Sequence, residues 1–289
     1  MTPATTTTRF AVPRPFLKWV GGKGQLLPEL VARIEAAGDI GRYHEPFVGG
    51  GALFFELVRS GRLKKKAWLS DNNPRLIEAY LGVRDHVDEV IRLLERHKKK
   101  HTEDYFYAVR GLGQSNHRSR PSPAASAARI IYLNKTCYNG LYRENRKGEF
   151  NSPFGRYKNP PICDEENLRA VSKALKKAKI ENAHFDAIVE RAKPGDLVYF
   201  DPPYHPVSKT ASFTAYESGG FGEDSQRLLA RVYGQLSDKG VNVLLSNSMT
   251  DLVRDLYAPF HIDVVRANRA VNSRADRRGK VSEALVRNF

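Results

Sequence analysis

RYHEPFVGGGALFFELVRS, from Arg42 to Ser60, sets the fold class. Its first residues read as a short strand, Gly49 to Gly51 form a turn, and ALFFELVRS places apolar residues at helical spacing up to Gly61. Working outward, KKAWLSD is a second buried strand ending at Asp71, and Pro74 suits the first position of a helix in NPRLIEAYLGV. Upstream, the apolar positions of GQLLPELVARIEAAG recur at helical spacing, and Pro28 is tolerable only in a first turn, so a helix follows Gly24. Near Asp186 the alternation returns with the strand DLVYF, the helix SQRLLARVYGQLS, the strand VNVLLSN, the helix TDLVRDLY, and finally HIDVVRA and EALVRNF. Strand and helix alternating in this way predict an α/β fold.

From about Val83 the rhythm changes. HVDEVIRLLERHKKKH and DYFYAVRGL are amphipathic helical segments, QSNHRSRPSPAAS is an exposed polar loop, and AARIIYLNKTCY resumes a helix. YNGLYRENRKGEFNSPFGRYKNPP is too rich in Gly, Asn, Pro and aromatics for a helix and predicts a hairpin or ordered loop. The expected organisation is a core from residues 10–82 and 183–289, an inserted subdomain from residues 83–182, and a mobile Thr-rich tail at 1–9. A chain of 289 residues suits one core with an insertion.

The 47 Lys and Arg against 32 Asp and Glu give a net charge of +15, which points to a polyanionic partner. Position sharpens this, because Arg84 to Glu181 holds 21 basic and 12 acidic side chains, and Arg266 to Arg287 holds seven against two. Two cysteines, Cys137 and Cys163, cannot build a disulfide framework or a four-cysteine zinc site, which fits a reducing, cytoplasmic setting. No run approaches the roughly 18 apolar residues of a membrane helix, and the first residues lack a signal peptide's apolar centre. Neither a membrane nor a metal is expected as a partner.

Three features fall at the carboxyl ends of predicted strands, where open α/β sheets bind ligands. They are Phe47 to Gly51, Asp71, and Asp201 to Tyr204. The glycine turn admits either a ligand or close packing. Asp71 is placed like an acid that binds ribose hydroxyls, or like an N-cap. Together they favour an adenosine-containing cofactor. Phe54 replaces the last glycine of GxGxxG, and GGKGQ lacks the hydroxyl that would hold magnesium, which weakens nicotinamide and ATP and leaves S-adenosylmethionine. In DPPY, Pro202 and Pro203 hold a rigid turn, so that Asp201 and the Pro202 carbonyl offer two acceptors to an exocyclic amino group while Tyr204 stacks on its ring.

The chain resembles the Dam-type N6-adenine DNA methyltransferases, from about Pro15 to its end. The resemblance rests on FLKWVGGK at Phe16 to Lys23, EPFVGGG at Glu45 to Gly51, LSDNN at Leu69 to Asn73, YNGLYREN at Tyr138 to Asn145, GEFNSPFGRY at Gly148 to Tyr157, and DPPY. Their order is that of the family's α group. The resemblance implies a Rossmann-like, S-adenosylmethionine-dependent core with a mixed, mostly parallel sheet, carrying a helical and hairpin subdomain that recognises double-stranded DNA. It implies that Trp19, Lys23, Asp71 and Asp201 contact the cofactor, with Phe47, Gly49 and Gly51 beside it and Lys23 facing its carboxylate. It implies that Arg143 reads guanine within GATC, that Leu141 and Pro153 meet thymine methyls, and that Tyr138 presses into the stack vacated by an extruded adenine. Lys135, Asn139, Asn151 and Arg156 are phosphate candidates. TASFTAY, at Thr210 to Tyr216, resembles a loop closing over the base pocket, and Arg269, Arg274, Arg277, Arg278 and Lys280 form a basic segment before the last strand. Such an enzyme is expected to be a cytoplasmic monomer, associated with the nucleoid through DNA, with two copies able to meet on a palindromic site. Methylation of cytosine N4 or of an amide nitrogen, a non-catalytic DNA-binding protein and a nuclease are the alternatives. Asp201 argues against the first, the joint presence of DPPY, Asp71 and Lys23 against the second, and the lack of a nearby acid partner with a following lysine against the third.

Overall fold

The computed structural model describes residues 11–19, 21–112, 121–145, 147–206, 221–268 and 280–289. Its elements run α1 (Leu27–Ala36), β1 (Tyr43–Glu45), α2 (Ala52–Arg59), β2 (Ala67–Asp71), α3 (Pro74–Asp85), α4 (Val87–Lys99), α5 (Glu103–Gly111) and α6 (Pro123–Thr136). There follow α7 (Glu165–Leu175), β3 (Ala178–Asn182), α8 (Ile188–Arg191), β4 (Leu197–Phe200), α9 (Glu223–Asp238), β5 (Asn242–Ser248), α10 (Asp251–Leu256), β6 (His261–Asn268) and β7 (Lys280–Arg287). The strands form one sheet in the order β3-β2-β1-β4-β5-β7-β6, with the first five parallel to their neighbours and β7 antiparallel to β5 and β6. This is the mixed, mostly parallel sheet expected.

Period-2 alternation gives the sheet two apolar faces. On β4, Leu197 and Tyr199 join a core with Leu30, Phe54, Leu76, Tyr80 and Ile131, while Val198 and Phe200 join a second with Leu229, Val232, Tyr233 and Leu236 of α9. Strands covered on both sides read as continuous apolar runs, as LVYF does. Helix starts follow side-chain caps: Asn73 for α3, Thr102 for α5, Ser122 for α6, Asp164 for α7 and Thr250 for α10.

Two expectations need correction. The polar loop was expected through Ser126, but α6 begins at Pro123, because Ser122 Oγ accepts the Ala125 amide and Pro123 suits the first turn. Residues 165–182, read as part of the insertion without assigned elements, form α7 and β3, and β3 is a strand of the main sheet, paired with β2 from Ala67–Ala178 to Asp71–Asn182. AKIEN exposes Lys179 and Asn182 on an edge strand, so its apolar content is too low to signal a strand. Of the hairpin or ordered loop expected after α6, the structure has an ordered loop with a short turn at Tyr138–Gly140 and antiparallel bridges at Cys137–Phe154 and Glu144–Phe150. α6 packs on α3 and α4 and shares their core, so the inserted helices are continuous with the sheet's covering layer. No helix of the described residues is long and apolar enough to cross a membrane. The tail, TASFTAY, Arg269, Arg274, Arg277, Arg278 and the Lys280 side chain lie outside the described residues.

Candidate active site

β4 delivers Asp201 to the carboxyl edge of the sheet between neighbours β1 and β5. Asp201 Oδ1 lies 2.6 Å from Lys23 Nζ and accepts from Ser246 Oγ at 3.1 Å. Ser246, on β5, is itself 2.9 Å from the Tyr199 hydroxyl. The Asp201 side chain is 20% exposed and that of Lys23 is 8% exposed, so the ion pair is largely withdrawn from bulk water. Burial raises the Asp201 pKa, and the Lys23 ammonium and Ser246 hydroxyl pull against that rise. Lys23 Nζ also stands 4.5 Å from the centroid of the Tyr204 ring and donates to the Gly21 carbonyl. Tyr204 donates its hydroxyl to Glu283 Oε2 at 2.8 Å, and burial keeps it a neutral phenol.

The glycine turn is explained in part by protein packing. Gly49 and Gly51 have φ of 45° and 66°, in the left-handed region. A Cβ at Gly49 would stand 2.9 Å from Trp19, and one at Gly51 would stand 2.8 Å from the Tyr80 hydroxyl. Tyr80 in turn donates to the Gly49 carbonyl at 2.9 Å. Asp71 does not cap α3, since Asn73 accepts the Arg75 and Leu76 amides. Instead Asp71 Oδ2 accepts the Gly49 amide at 3.2 Å and Oδ1 the Asn73 amide at 3.0 Å, which joins the end of β2 to the glycine turn. Burial raises its pKa against those donors. Phe47 stacks on Phe185, with ring centroids 5.2 Å apart, and meets Phe200 and Phe221 edge-on, forming an aromatic patch at the same edge of the sheet.

Close to Asp201 and Lys23 lies Glu45, 3% exposed, which accepts the Tyr43 hydroxyl at 2.8 Å. Burial pushes its pKa up to about 8 despite that hydrogen bond. The folded protein therefore holds a proton that the unfolded chain releases above about pH 4.5, so Glu45 makes stability fall as pH rises from about 4.5 to 8. Glu45→Gln is expected to remove this component. Denaturant unfolding of both proteins at pH 5 and pH 9 measures it: the variant loses less stability between the two, and an unchanged difference refutes the assignment.

The recognition candidates share one loop. Tyr138 is 56% exposed, its amide donates to the Pro153 carbonyl at 2.8 Å, and Ser152 Oγ donates to the Leu141 carbonyl. Arg143 donates its Nε to Asn151 Oδ1 at 2.7 Å, while the Asn151 amide donates to the Arg143 carbonyl at 2.9 Å. Asn139 and Arg156 are exposed and adopt left-handed φ of 56° and 49°. Arg110 of α5 reaches the Ser152 carbonyl, and Asn134 of α6 bridges Lys18 and the Gly140 carbonyl, so the loop is tied to the body from two sides. Trp19 stacks on Tyr142 at 5.0 Å, which joins the FLKW segment to this loop. Lys135 stands apart, in a groove with Arg14, Ile162 and Asp164, and burial lowers its pKa.

The structure thus gathers Lys23, Asp201 and Tyr204 into one cluster, ties Asp71, Gly49 and Gly51 into a second and places Trp19 against Gly49. Tyr138, Leu141, Arg143, Asn151 and Pro153 form a third group. Sequence reasoning missed Glu45, Ser246, Asn247, Gln226 and Glu283. The polar run SNS closing the apolar strand VNVLLSNS is a signal that reveals three adjacent polar residues where the sheet should be dry: all are buried.

Comparison with known proteins adds an independent line. The family model described as D12 class N6 adenine-specific DNA methyltransferase matches residues 19–271. "Type II methyltransferase M1.LlaDCHI" of Lactococcus lactis subsp. cremoris is 40% identical over 278 residues, covering 96% of this chain and 95% of its own. "Type II methyltransferase M.MjaIII" of Methanocaldococcus jannaschii is 42% identical over 291 residues, covering 96% and 99%. "DNA adenine methylase" of Serratia marcescens is 38% identical over 276 residues, covering 94% and 97%.

Proposed function

Because the chain belongs to the D12 class of N6 adenine-specific DNA methyltransferases, we propose that it moves a methyl group from S-adenosylmethionine to N6 of an adenine rotated out of duplex GATC. The observation that carries this is the Lys23–Asp201–Tyr204 cluster, in which a carboxylate and an aromatic face already hold a nitrogen cation. An adenine amino group has the same needs: acceptors for its hydrogens and a π-face for its ring. A base inside a duplex cannot reach so withdrawn a carboxylate, so extrusion is required.

The residues present fit the cofactor. Lys23 is a nearly buried cation suited to a carboxylate, Asp71 an acceptor suited to ribose hydroxyls, and the Phe47–Phe185 patch a surface suited to a purine. When bound, S-adenosylmethionine supplies a methyl carbon activated by its sulfonium. Lys23 would hold the cofactor carboxylate in place of Asp201, which would free the Asp201 oxygens. Asp201 and the Pro202 carbonyl accept the two N6 hydrogens, which orients the nitrogen lone pair toward the methyl carbon and stabilises positive charge growing on N6. Tyr204 holds the ring plane. N6 would give up a proton on accepting the methyl group, and Asp201 Oδ would be an able acceptor because burial raises its pKa. Positioning supplies much of the acceleration.

The test is to incubate the protein with plasmid DNA and labelled S-adenosylmethionine and to map the modified bases. Label at adenine N6 within GATC is expected; label on cytosine, or spread over adenines regardless of context, contradicts the proposal. The loop residues support the site preference. Asn151 accepts from Nε and Nη2 of Arg143, which fixes the guanidinium plane and leaves the Nη1 and outer Nη2 hydrogens as the edge suited to guanine, where a bidentate contact is worth about 1–3 kcal/mol. Arg143→Ala is expected to lower discrimination between GATC and single-base variants by roughly 5- to 150-fold, the equivalent of that energy. Competition kinetics on paired duplexes measure this, and retained discrimination argues against Arg143 as the reader.

A further inference from the structure

Tyr204 is pinned at both of its peptide bonds. On one side Gln226 Nε2, from α9, donates to the Pro203 carbonyl at 3.0 Å. On the other, Asn247 Oδ1, near the end of β5, accepts the His205 amide at 2.9 Å. The two side chains are joined to each other, since Asn247 Nδ2 donates to Gln226 Oε1 at 3.0 Å. Asn247 Oδ1 also accepts the Ser248 amide at 2.8 Å. Both residues are fully buried, and α9 otherwise fills this region with Leu229, Val232, Tyr233 and Leu236.

Such a pair is an expensive way to fill an apolar interior, because each amide must be desolvated and the net gain from its hydrogen bonds is modest. DPPY explains the need. Pro202 and Pro203 have no N–H, so neither can donate to β5, and the turn is fastened through the Pro203 carbonyl and the His205 amide instead. Its anchors must reach it from outside, and Gln226 and Asn247 do so on either side of the aromatic ring. Ser246, next to Asn247 on β5, holds Asp201 in the same manner.

We propose that Gln226 and Asn247 are positioning residues for methyl transfer: a two-amide relay that fixes the pitch of Tyr204 relative to Asp201. This rests on the reading that Asp201 and Tyr204 hold the target adenine. The relay touches neither the base nor the cofactor, so its loss leaves binding almost intact and misplaces the reacting nitrogen, and a misplacement of about 1 Å can cost about 100-fold in rate.

The test compares Gln226→Met, which keeps the volume and removes both hydrogen bonds, with Gln226→Glu. The carboxyl of Gln226→Glu, in its neutral form, still accepts from Asn247 and donates to the Pro203 carbonyl. For Gln226→Met, kcat is expected to fall about 10- to 100-fold, with KM for DNA and for S-adenosylmethionine within about threefold of the parent. Gln226→Glu is expected to recover activity as pH falls and its carboxyl becomes protonated. Leu236→Ala, a cavity variant on the same helix, reports the effect of lost stability alone, and measured well below its Tm it keeps the parent kcat. A parent-like kcat in Gln226→Met, or an equal loss in Leu236→Ala, overturns the proposal. Should Gln226→Met not fold, a pH-independent ratio of Gln226→Glu to parent activity overturns it as well. Failure of the parent protein to methylate adenine removes the underlying reading, and that appears before any variant is made.

Discussion

Asp201→Ala is expected to lower kcat by at least about 100- to 1,000-fold, because the substitution removes a fixed acceptor aimed at charge that develops on N6. Duplex binding is expected to survive, since the DNA contacts proposed for the Tyr138–Pro153 loop involve other residues. The variant also deprives Lys23 of its 2.6 Å partner, leaving a nearly buried ammonium free to meet the cofactor carboxylate. Its affinity for S-adenosylmethionine should therefore hold or improve if the ion pair competes with the cofactor, and should fall if Asp201 is chiefly a cofactor contact. Single-turnover methylation with calorimetry of both ligands separates these outcomes. Turnover close to that of the parent rules out Asp201 as the acceptor.

Lys23→Met is expected to weaken S-adenosylmethionine binding by roughly 10- to 150-fold, the worth of a hydrogen bond to a charged group of about 1.5–3 kcal/mol. A second effect follows at Asp201. Lys23 opposes the rise in Asp201 pKa that burial causes, so its removal drives that pKa higher. The ionised acceptor is then lost at a higher pH, and the acid limb of the kcat/KM profile moves upward. The profile of the variant against that of the parent measures the shift. An acid limb that stays in place would mean that the ion pair does not tune the reactive carboxylate.

Features confined to one contiguous stretch of chain were legible in the sequence, and those joining distant stretches were not. β1, the glycine turn and α2 lie within one contiguous stretch, so period and turn chemistry suffice to find them. β3 escaped because an edge strand needs little apolar surface, and AKIEN shows only Ala178 and Ile180 buried. Asp71 and Gly49 were legible as neighbouring features, yet the hydrogen bond that joins them depends on β1 and β2 lying side by side. The Lys23–Asp201 pair and the Gln226–Asn247 relay were not legible. Both join segments distant in sequence, and nothing in WVGGK or SQRLL says which strand end it will face. A Gln on an apolar helix face gains a purpose only once the carbonyl of Pro203 is placed beside it.

The most direct test is the distance from adenine N6 to Asp201 Oδ in a ternary complex of the protein with GATC duplex and an unreactive cofactor analogue. The account predicts a hydrogen-bonding distance, the base outside the stack with its ring on Tyr204, and the Lys23 ammonium moved from Asp201 to the analogue's carboxylate. An adenine still stacked in the duplex, with Lys23 and Asp201 paired beneath it, would contradict the account.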